Sequence, residues 1–298
     1  MSALRIKEGF KVQLANTYDP DKNYKDIEYW WGSYKYDGIR CIYFNSTPNI
    51  LYSRKGLEFK GFEKILDDIH LLVDRLNSFD DVFIDGELYS DELDFNNIQS
   101  IVMTEDSSSV DKDKIYLRVF AIGPCNNTNE MISMFNNTEL FIGLDKIKPI
   151  SYFKIDNNWN AIISKCKELI DLGYEGVMLR DPNVPYDWKR SNKLLKYKMF
   201  KDNHELDMVV SDILPGKPGT KYVNTMGALL CIGEIDNKEV RCRVGSGFTD
   251  SERDDIWNNP DKYLNKEIVV RYQDITVDSK TGNTSIRFPI KKCFKLDR

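Results

Sequence analysis

Apolar residues recur at helical spacing in two long stretches. Within 62–77, Phe62, Ile65, Leu66, Ile69, Leu72, Val73 and Leu76 share one face, and within 160–174 Ile162, Ile163, Cys166, Leu169 and Ile170 do the same. This predicts two amphipathic helices, the second closed by Gly173 as a left-handed C-terminal residue. Most of the remaining first two-thirds reads as short strands rich in aromatic and β-branched residues: SYKY, RCIYFN, NILYSR, DVFIDGELY, IYLRVFAI and EGVMLRD. Taken alone, Asp37-Gly38 between SYKY and IRCIYF is a hairpin turn signal. From about residue 205 the pattern changes to LDMVVSDIL, MGALLCIGEI, EVRCRVG and EIVVRYQDI, interrupted by one helix after a Thr249-to-Glu252 capping box. A run of strands following a mixed region predicts a separate small β-barrel, with LPGKPGTKYVN as a loop inside it. The expected fold class is therefore α+β: antiparallel sheets with flanking helices over residues 1–203, then a barrel over 204–298.

Composition narrows the chemistry. The 298 residues carry 42 Lys and Arg against 47 Asp and Glu, a net charge of −5, so the chain as a whole is no basic nucleic-acid coat. The charge is segregated locally, however. Residues 80–94 hold seven acids and no base, whereas 189–201 hold six bases and no acid, which makes the second segment the one suited to phosphate. Six cysteines form no CxxC pair and only His70 and His204 accompany them, arguing against a Cys/His zinc site and pointing to a reducing compartment. Ser-His-Asp and Cys-His catalysis are correspondingly improbable. No apolar run approaches the roughly 18 residues that span a bilayer, and the N-terminus has no signal-type apolar core. The expectation is an intracellular, cytoplasmic protein with no membrane partner.

No GxxxxGK[ST] loop is present to cradle a nucleotide. Lys35-Tyr36-Asp37-Gly38-Ile39-Arg40 stands out instead, although Lys and Arg beside a turn are ordinarily solvated. Ser53-Arg54-Lys55-Gly56, Asp85-Gly86-Glu87-Leu88 and Glu175-Gly176-Val177-Met178-Leu179-Arg180 follow along the chain. Each is weak alone, and Glu87 and Glu175 read equally well as surface acids at strand ends. In Leu195-Lys196-Tyr197-Lys198 two lysines at period 2 fall on one strand face, a like-charge arrangement tolerated opposite an anion or on a charged edge strand. Phe120 reads as core unless something flat stacks on it.

In order and approximate spacing, Lys35, Arg54, Glu87, Glu175 and the Lys196/Lys198 pair resemble the signature of the covalent nucleotidyltransferase superfamily of DNA ligases, RNA ligases and mRNA capping enzymes. EGVMLR and LLKYK are similar to the ATP-dependent DNA ligases, and the resemblance extends through Arg287-Phe288-Pro289 to Lys295-Leu296-Asp297-Arg298. It is nearest to the minimal two-domain type, like the chlorella virus enzyme and the small bacterial ATP-dependent ligases. Only 34 residues precede Lys35, so no separate helical DNA-binding domain is expected, and the loop at 215–225 is short, like that of the latchless bacterial type. Two departures are Ala121, where many relatives have Asp, and the terminal Lys-x-Asp-Arg, where Arg-x-Asp-Lys is common.

The resemblance implies a nucleotidyltransferase (adenylation) domain over 1–203 and an OB-fold β-barrel over 204–298. It implies that Lys35 attacks the α-phosphorus of ATP to form lysyl-AMP, that AMP passes to the 5′-phosphate of a nick, and that the 3′-hydroxyl then displaces it. It implies contacts to ATP from Tyr34, Arg40, Arg54, Glu87, Phe120, Lys196 and Lys198, with Lys295, Asp297 and Arg298 closing over the outer phosphates. Glu175 and Glu87 would hold Mg²⁺ or Mn²⁺, Lys198 and Asp37 would share in catalysis, and Arg190, Lys193 and Asp37 would meet DNA. The expected partner is nicked duplex DNA, the expected state a monomer, and the expected setting DNA replication, repair and recombination in a phage or viral context. An RNA ligase, a capping guanylyltransferase and a non-catalytic OB-type nucleic-acid binder are the alternatives.

Overall fold

A computed structural model describes residues 11–76, 81–104, 110–199, 204–277 and 282–295. The chain divides into two compact units, Met1–Met199 and Phe200–Arg298. In the first unit the strands are β1 (Leu14–Thr17), β2 (Tyr29–Tyr34), β3 (Ile39–Phe44), β4 (Leu51–Ser53), β5 (Glu58–Phe59), β6 (Phe83–Tyr89), β7 (Tyr116–Gly123), β8 (Ile147–Pro149), β9 (Tyr152–Asp156), β10 (Val177–Arg180) and β11 (Arg190–Tyr197). Its helices are α1 (Glu63–Leu76), α2 (Phe95–Met103), α3 (Thr128–Asn136) and α4 (Trp159–Asp171). The strands form two sheets, one ordered β5-β4-β3-β6-β7-β8 and the other β1-β11-β10-β2-β9. Both are mixed rather than wholly antiparallel, because β1 runs parallel to β11 and β7 parallel to β8.

Both long helices expected from periodicity are present. α1 buries Ile65, Ile69, Leu72 and Leu76 in a core with Ile42, Ile84, Leu88 and Leu117 of the six-stranded sheet. α4 is capped by Asn158, buries Ile162, Cys166 and Leu169 against the five-stranded sheet, and ends before Gly173, whose φ is +94°. α2 and α3 are additions to the expected set. They are nine residues each, capped by Asp94 and Asn127, and bury two and four residues respectively.

The Asp37-Gly38 segment is not a hairpin. β2 pairs with β9 and β10, whereas β3 pairs with β4 and β6, so the chain crosses between sheets there. Glycine serves a close approach instead of a turn: a Cβ on Gly38 would lie 2.4 Å from the Leu88 carbonyl oxygen.

The second unit contains β12 (Glu205–Pro215), β13 (Met226–Ile235), β14 (Lys238–Val244), β15 (Glu267–Arg271), β16 (Asp274–Val277), β17 (Thr284–Arg287) and β18 (Ile290–Phe294), with α5 (Asp250–Asn258) between β14 and β15. They make a curled sheet ordered β16-β17-β14-β13-β12-β15-β18. A bridge from Ser246 to Ile290 returns the last strand to the end of β14, as a small barrel requires. α5 begins with the Thr249–Glu252 capping box. Its buried Arg253 donates to the carbonyls of Met226, Gly227 and Gly245 at 3.0, 3.1 and 2.7 Å, tying helix to barrel. All six cysteines are free, and no helix among the described residues is long and apolar enough to cross a membrane.

Candidate active site

The crossover after β2 sets Lys35 at the rim of a pocket whose walls come from both sheets of the first unit. The Lys35 N–H donates to the Gly176 carbonyl at 3.0 Å and the Glu175 N–H donates to the Lys35 carbonyl at 3.1 Å, which continues the β2–β10 ladder past the end of both strands. Gly176 has φ +149°, and a Cβ there would lie 2.2 Å from the Tyr197 carbonyl oxygen. Glycine thus lets the chain at the end of β11, with Lys196 and Lys198, come against the Glu175-Gly176 segment that leads into β10.

Glu175 is the electrostatic centre of this corner. Its side chain is 6% exposed and accepts from Lys35 Nζ and, at 2.5 Å, from Lys198 Nζ. Burial alone would raise its pKa, but the two lysines hold the carboxyl below its ordinary range. Burial and then the proximity of Lys35 lower the pKa of both Lys196 and Lys198. A phosphate here would meet three amines, of which two are partly relieved of their own hydration.

Tyr34, Lys35, Arg40, Arg54, Glu87, Phe120, Arg190 and Lys196 all line the one pocket. Ser33, Tyr36, Ile150, Met178 and Arg180 are also part of the wall. Glu87 lies on β6 opposite Arg40, and burial pushes its carboxyl up to about 7 against the opposing pull of Arg40 and Lys35. It receives no side-chain hydrogen bond among the described residues, which leaves its oxygens open to donors from a bound molecule. Phe120 is partly buried and lies under the Arg40 guanidinium, 4.4 Å from ring centroid to Cζ. Tyr34 stacks on Tyr174 at 4.5 Å, and Tyr36 meets Tyr34, Tyr89 and Tyr174 edge-on, wedging the crossover in place.

Behind the pocket lies a network with no counterpart in the sequence reading. Asp85 is 0% exposed and accepts from Arg40 through both carboxylate oxygens, the Nε contact being 2.5 Å. Tyr186 Oη also donates to Asp85 at 2.5 Å and accepts from the Gln13 N–H at 2.9 Å, while Arg180 donates to Gln13 Oε1 at 2.6 Å. Burial and the Asp85 charge push the Tyr186 hydroxyl up, which keeps it a donor. The Asp85-Gly86-Glu87 spacing carries the one available signal, since residues i and i+2 of a strand share a face. Tyr186 lies in a segment without periodicity. Ala121 is fully buried and pairs with Asp85 across β6 and β7.

Of the other expected residues, Asp37, Lys193 and Lys295 do not line this pocket. Arg190 also donates to the Ala15 carbonyl, and Lys193 is paired with the buried Asp181 at 3.0 Å. Asp37 sits in the crossover near Tyr89. Lys295 belongs to the second unit, where it pairs with Asp207 at 2.6 Å. Asp297 and Arg298 lie outside the described residues. No group of three or more His, Cys, Asp or Glu side chains suited to a metal occurs among the described residues.

Residues 13–198 match the ATP dependent DNA ligase domain family and residues 215–295 the DNA ligase OB-like domain family. A DNA ligase of Haemophilus influenzae is 28% identical over 280 residues, covering 90% of this chain and 88% of that protein. A DNA ligase of African swine fever virus is 26% identical over 271 residues, covering 83% of this chain but 59% of its own length. In fold, the chain is similar to a solved Lig E DNA ligase, with TM-score 0.70, 24% identity and coverage of 96% of this chain and 99% of that one. Because the family match runs through well over half of the chain and spans the unit that carries the Lys35 pocket, the protein belongs to the ATP-dependent DNA ligases.

Proposed function

We propose that the chain seals 3′-hydroxyl/5′-phosphate nicks in duplex DNA by way of an adenylate carried on Lys35. The observation that carries this reading is the corner in which Lys35, Lys196 and Lys198 meet around Glu175 at one end of a pocket with an aromatic wall. In the first step the lone pair of neutral Lys35 Nζ attacks the α-phosphorus of ATP, a P–N bond forms and pyrophosphate leaves with the broken P–O bond. A 5′-phosphate oxygen then takes the AMP from Lys35, and finally the 3′-hydroxyl oxygen attacks the 5′-phosphorus and releases AMP. Positioning and charge neutralisation dominate such transfers.

Adenine stacks on Phe120 between Ile150 and Met178, while Arg40, fixed by Asp85, stiffens that wall and bears on ATP together with Tyr34 and Arg54. The open oxygens of Glu87 accept from the ribose hydroxyls, and Lys196 and Lys198 take the α-phosphate. Lys295, Asp297 and Arg298 are assigned to the outer phosphates. Arg190, Lys193 and Asp37 are assigned to the nick, with Asp37 at its 3′ end. Glu175, with Glu87 facing the same pocket, would hold Mg²⁺ or Mn²⁺. Two carboxylates without a third suit a small hard cation that takes its remaining ligands from water and nucleotide phosphates. When bound, the cation supplies charge neutralisation at phosphate oxygens.

The domains are assigned as residues 1–203 for adenylation and 204–298 for the barrel, acting as an intracellular monomer in replication, repair and recombination. Incubation with α-labelled ATP and Mg²⁺ tests the reading. An acid-labile label at Lys35, absent from Lys35→Ala, is expected. Label from GTP in preference to ATP, or label retained by Lys35→Ala, would overturn it.

A further inference from the structure

Beyond Glu87, away from Arg40, the same face of the six-stranded sheet continues as a row of charges. The register pairs Arg40 with Glu87, Glu87 with Arg118, and Arg118 with Lys148 across β3, β6, β7 and β8. Two cations directly opposite each other on neighbouring strands repel, and a sheet tolerates them where an anion stands over them. Besides Glu87, opposite Arg118 on β6, the carboxylate beside the pair among the described residues is Asp91, at 3.4 Å from Arg118 and 3.9 Å from Lys148, and its side chain is 59% exposed. Against the effect of its partial burial, hydrogen bonds from Tyr116 and Arg118 and the charges of Arg118 and Lys148 hold the Asp91 carboxyl below its ordinary range.

The cluster is also built, not incidental. Lys148 Nζ lies 3.8 Å from the centroid of the Tyr116 ring, and the Arg118 guanidinium lies 5.0 Å from Tyr116 and 5.3 Å from Tyr36. The rings hold the two cations in place while Lys148 keeps 41% of its side chain exposed. Tyr36 follows Lys35 directly and lines the nucleotide pocket, so the cluster adjoins that pocket through Tyr36, while neither Arg118 nor Lys148 lines it.

We propose that Arg118 and Lys148, set on Tyr116 and Tyr36, form a site for a backbone phosphate of the duplex that flanks the nick. This deepens the nick-sealing reading and rests on it for the identity of the polyanion. A guanidinium and an ammonium fixed side by side match the non-bridging oxygens of one phosphodiester, and the aromatic floor favours a desolvated cation there. The site fixes the register of the strand as Lys35 is presented, with no information about base sequence.

Binding of fluorescent nicked duplex to the full chain, without ATP, over a range of salt concentrations tests the proposal. Lys148→Glu is expected to weaken binding roughly tenfold near 50 mM salt and to reduce the slope of log K against log salt by about one. Lys148→Arg should bind like the unaltered protein, while Arg118→Lys, which keeps the charge and loses the fork, should bind more weakly. Unchanged affinity and slope in Lys148→Glu would overturn the site. So would intact DNA binding accompanied by impaired labelling of Lys35, because that pattern assigns the cluster to the phosphates of ATP. Failure of the unaltered protein to become labelled at all would sink the lysyl-AMP reading and leave the DNA-binding measurement standing by itself.

Discussion

Removing the Asp85 carboxylate strands a cation. In Asp85→Ala the Arg40 guanidinium, whose side chain is 18% exposed, loses both carboxylate contacts and keeps the Gln13 carbonyl at 3.2 Å and the neighbouring Tyr186 hydroxyl. Breaking a buried pair from one side costs about 3–5 kcal/mol, and the opening of Arg40 towards the pocket favours the lower end. Tyr186 loses its acceptor as well, but it shares the network, so its loss is contained in that figure and is not added to it. For a unit of this size about 3 kcal/mol corresponds to a fall in Tm of roughly 6–12 °C. Tryptophan fluorescence during thermal or urea unfolding reports it directly, because Trp30, Trp31, Trp159 and Trp188 lie in the first unit and Trp257 in the second. The discriminating variant is the double substitution Arg40→Met with Asp85→Ala. It removes the uncompensated charge and should recover about 1 kcal/mol or more relative to Asp85→Ala alone. If the double variant instead loses the sum of the two single effects, the pair is not coupled and the account of how this wall is held is wrong.

Glu87 is the group from which a pH dependence follows. Its folded pKa of about 7 lies above the ordinary carboxylate value of 4.5, so the folded state holds a proton that the unfolded chain releases. Stability conferred by this group should therefore decline as pH rises from about 4.5 to about 7 and level off above, by up to about 3 kcal/mol, and Glu87→Gln should flatten that part of the profile in urea titrations. Gly176→Ala places a Cβ 2.2 Å from the Tyr197 carbonyl oxygen at a backbone angle that favours glycine. It should cost about 1–3 kcal/mol and, by displacing Lys196 and Lys198, slow labelling of Lys35 more than tenfold. An adenylylation rate within twofold of normal would show that β11 has room to shift. Arg253→Ala opens a cavity and strips three carbonyls of a donor in the second unit, which should lower its unfolding free energy by about 2–4 kcal/mol as followed by Trp257.

Much of the site was legible in the order of short motifs, because strand residues two apart share a face and because phosphate chemistry demands lysines and carboxylates in company. Lys35, Arg54, Glu87, Phe120 and Lys196 come to one pocket from segments that a reading of the chain could single out. The two long helices and the capping box before α5 were legible for a related reason: apolar periodicity and caps are local signals. Helices α2 and α3 were not, since nine residues with two or four buried positions and several asparagines carry little periodicity. Asp37-Gly38 carries the local signature of a hairpin, yet which sheet each flanking strand joins depends on partners at Phe153, Val177, Ser53 and Glu87, far along the chain. The same holds for Gly38, which reads as a turn-former, and for Gly176, which reads as the start of a strand: the fold uses both as points where two backbones touch. Asp85 with Tyr186 and Gln13, or Arg118 with Lys148 and Asp91, are meetings of segments tens to more than a hundred residues apart. Residue type and spacing determine what chemistry a chain can supply; strand pairing across such distances decides which groups share a desolvated space, and so which charges are paired and which are left for a ligand.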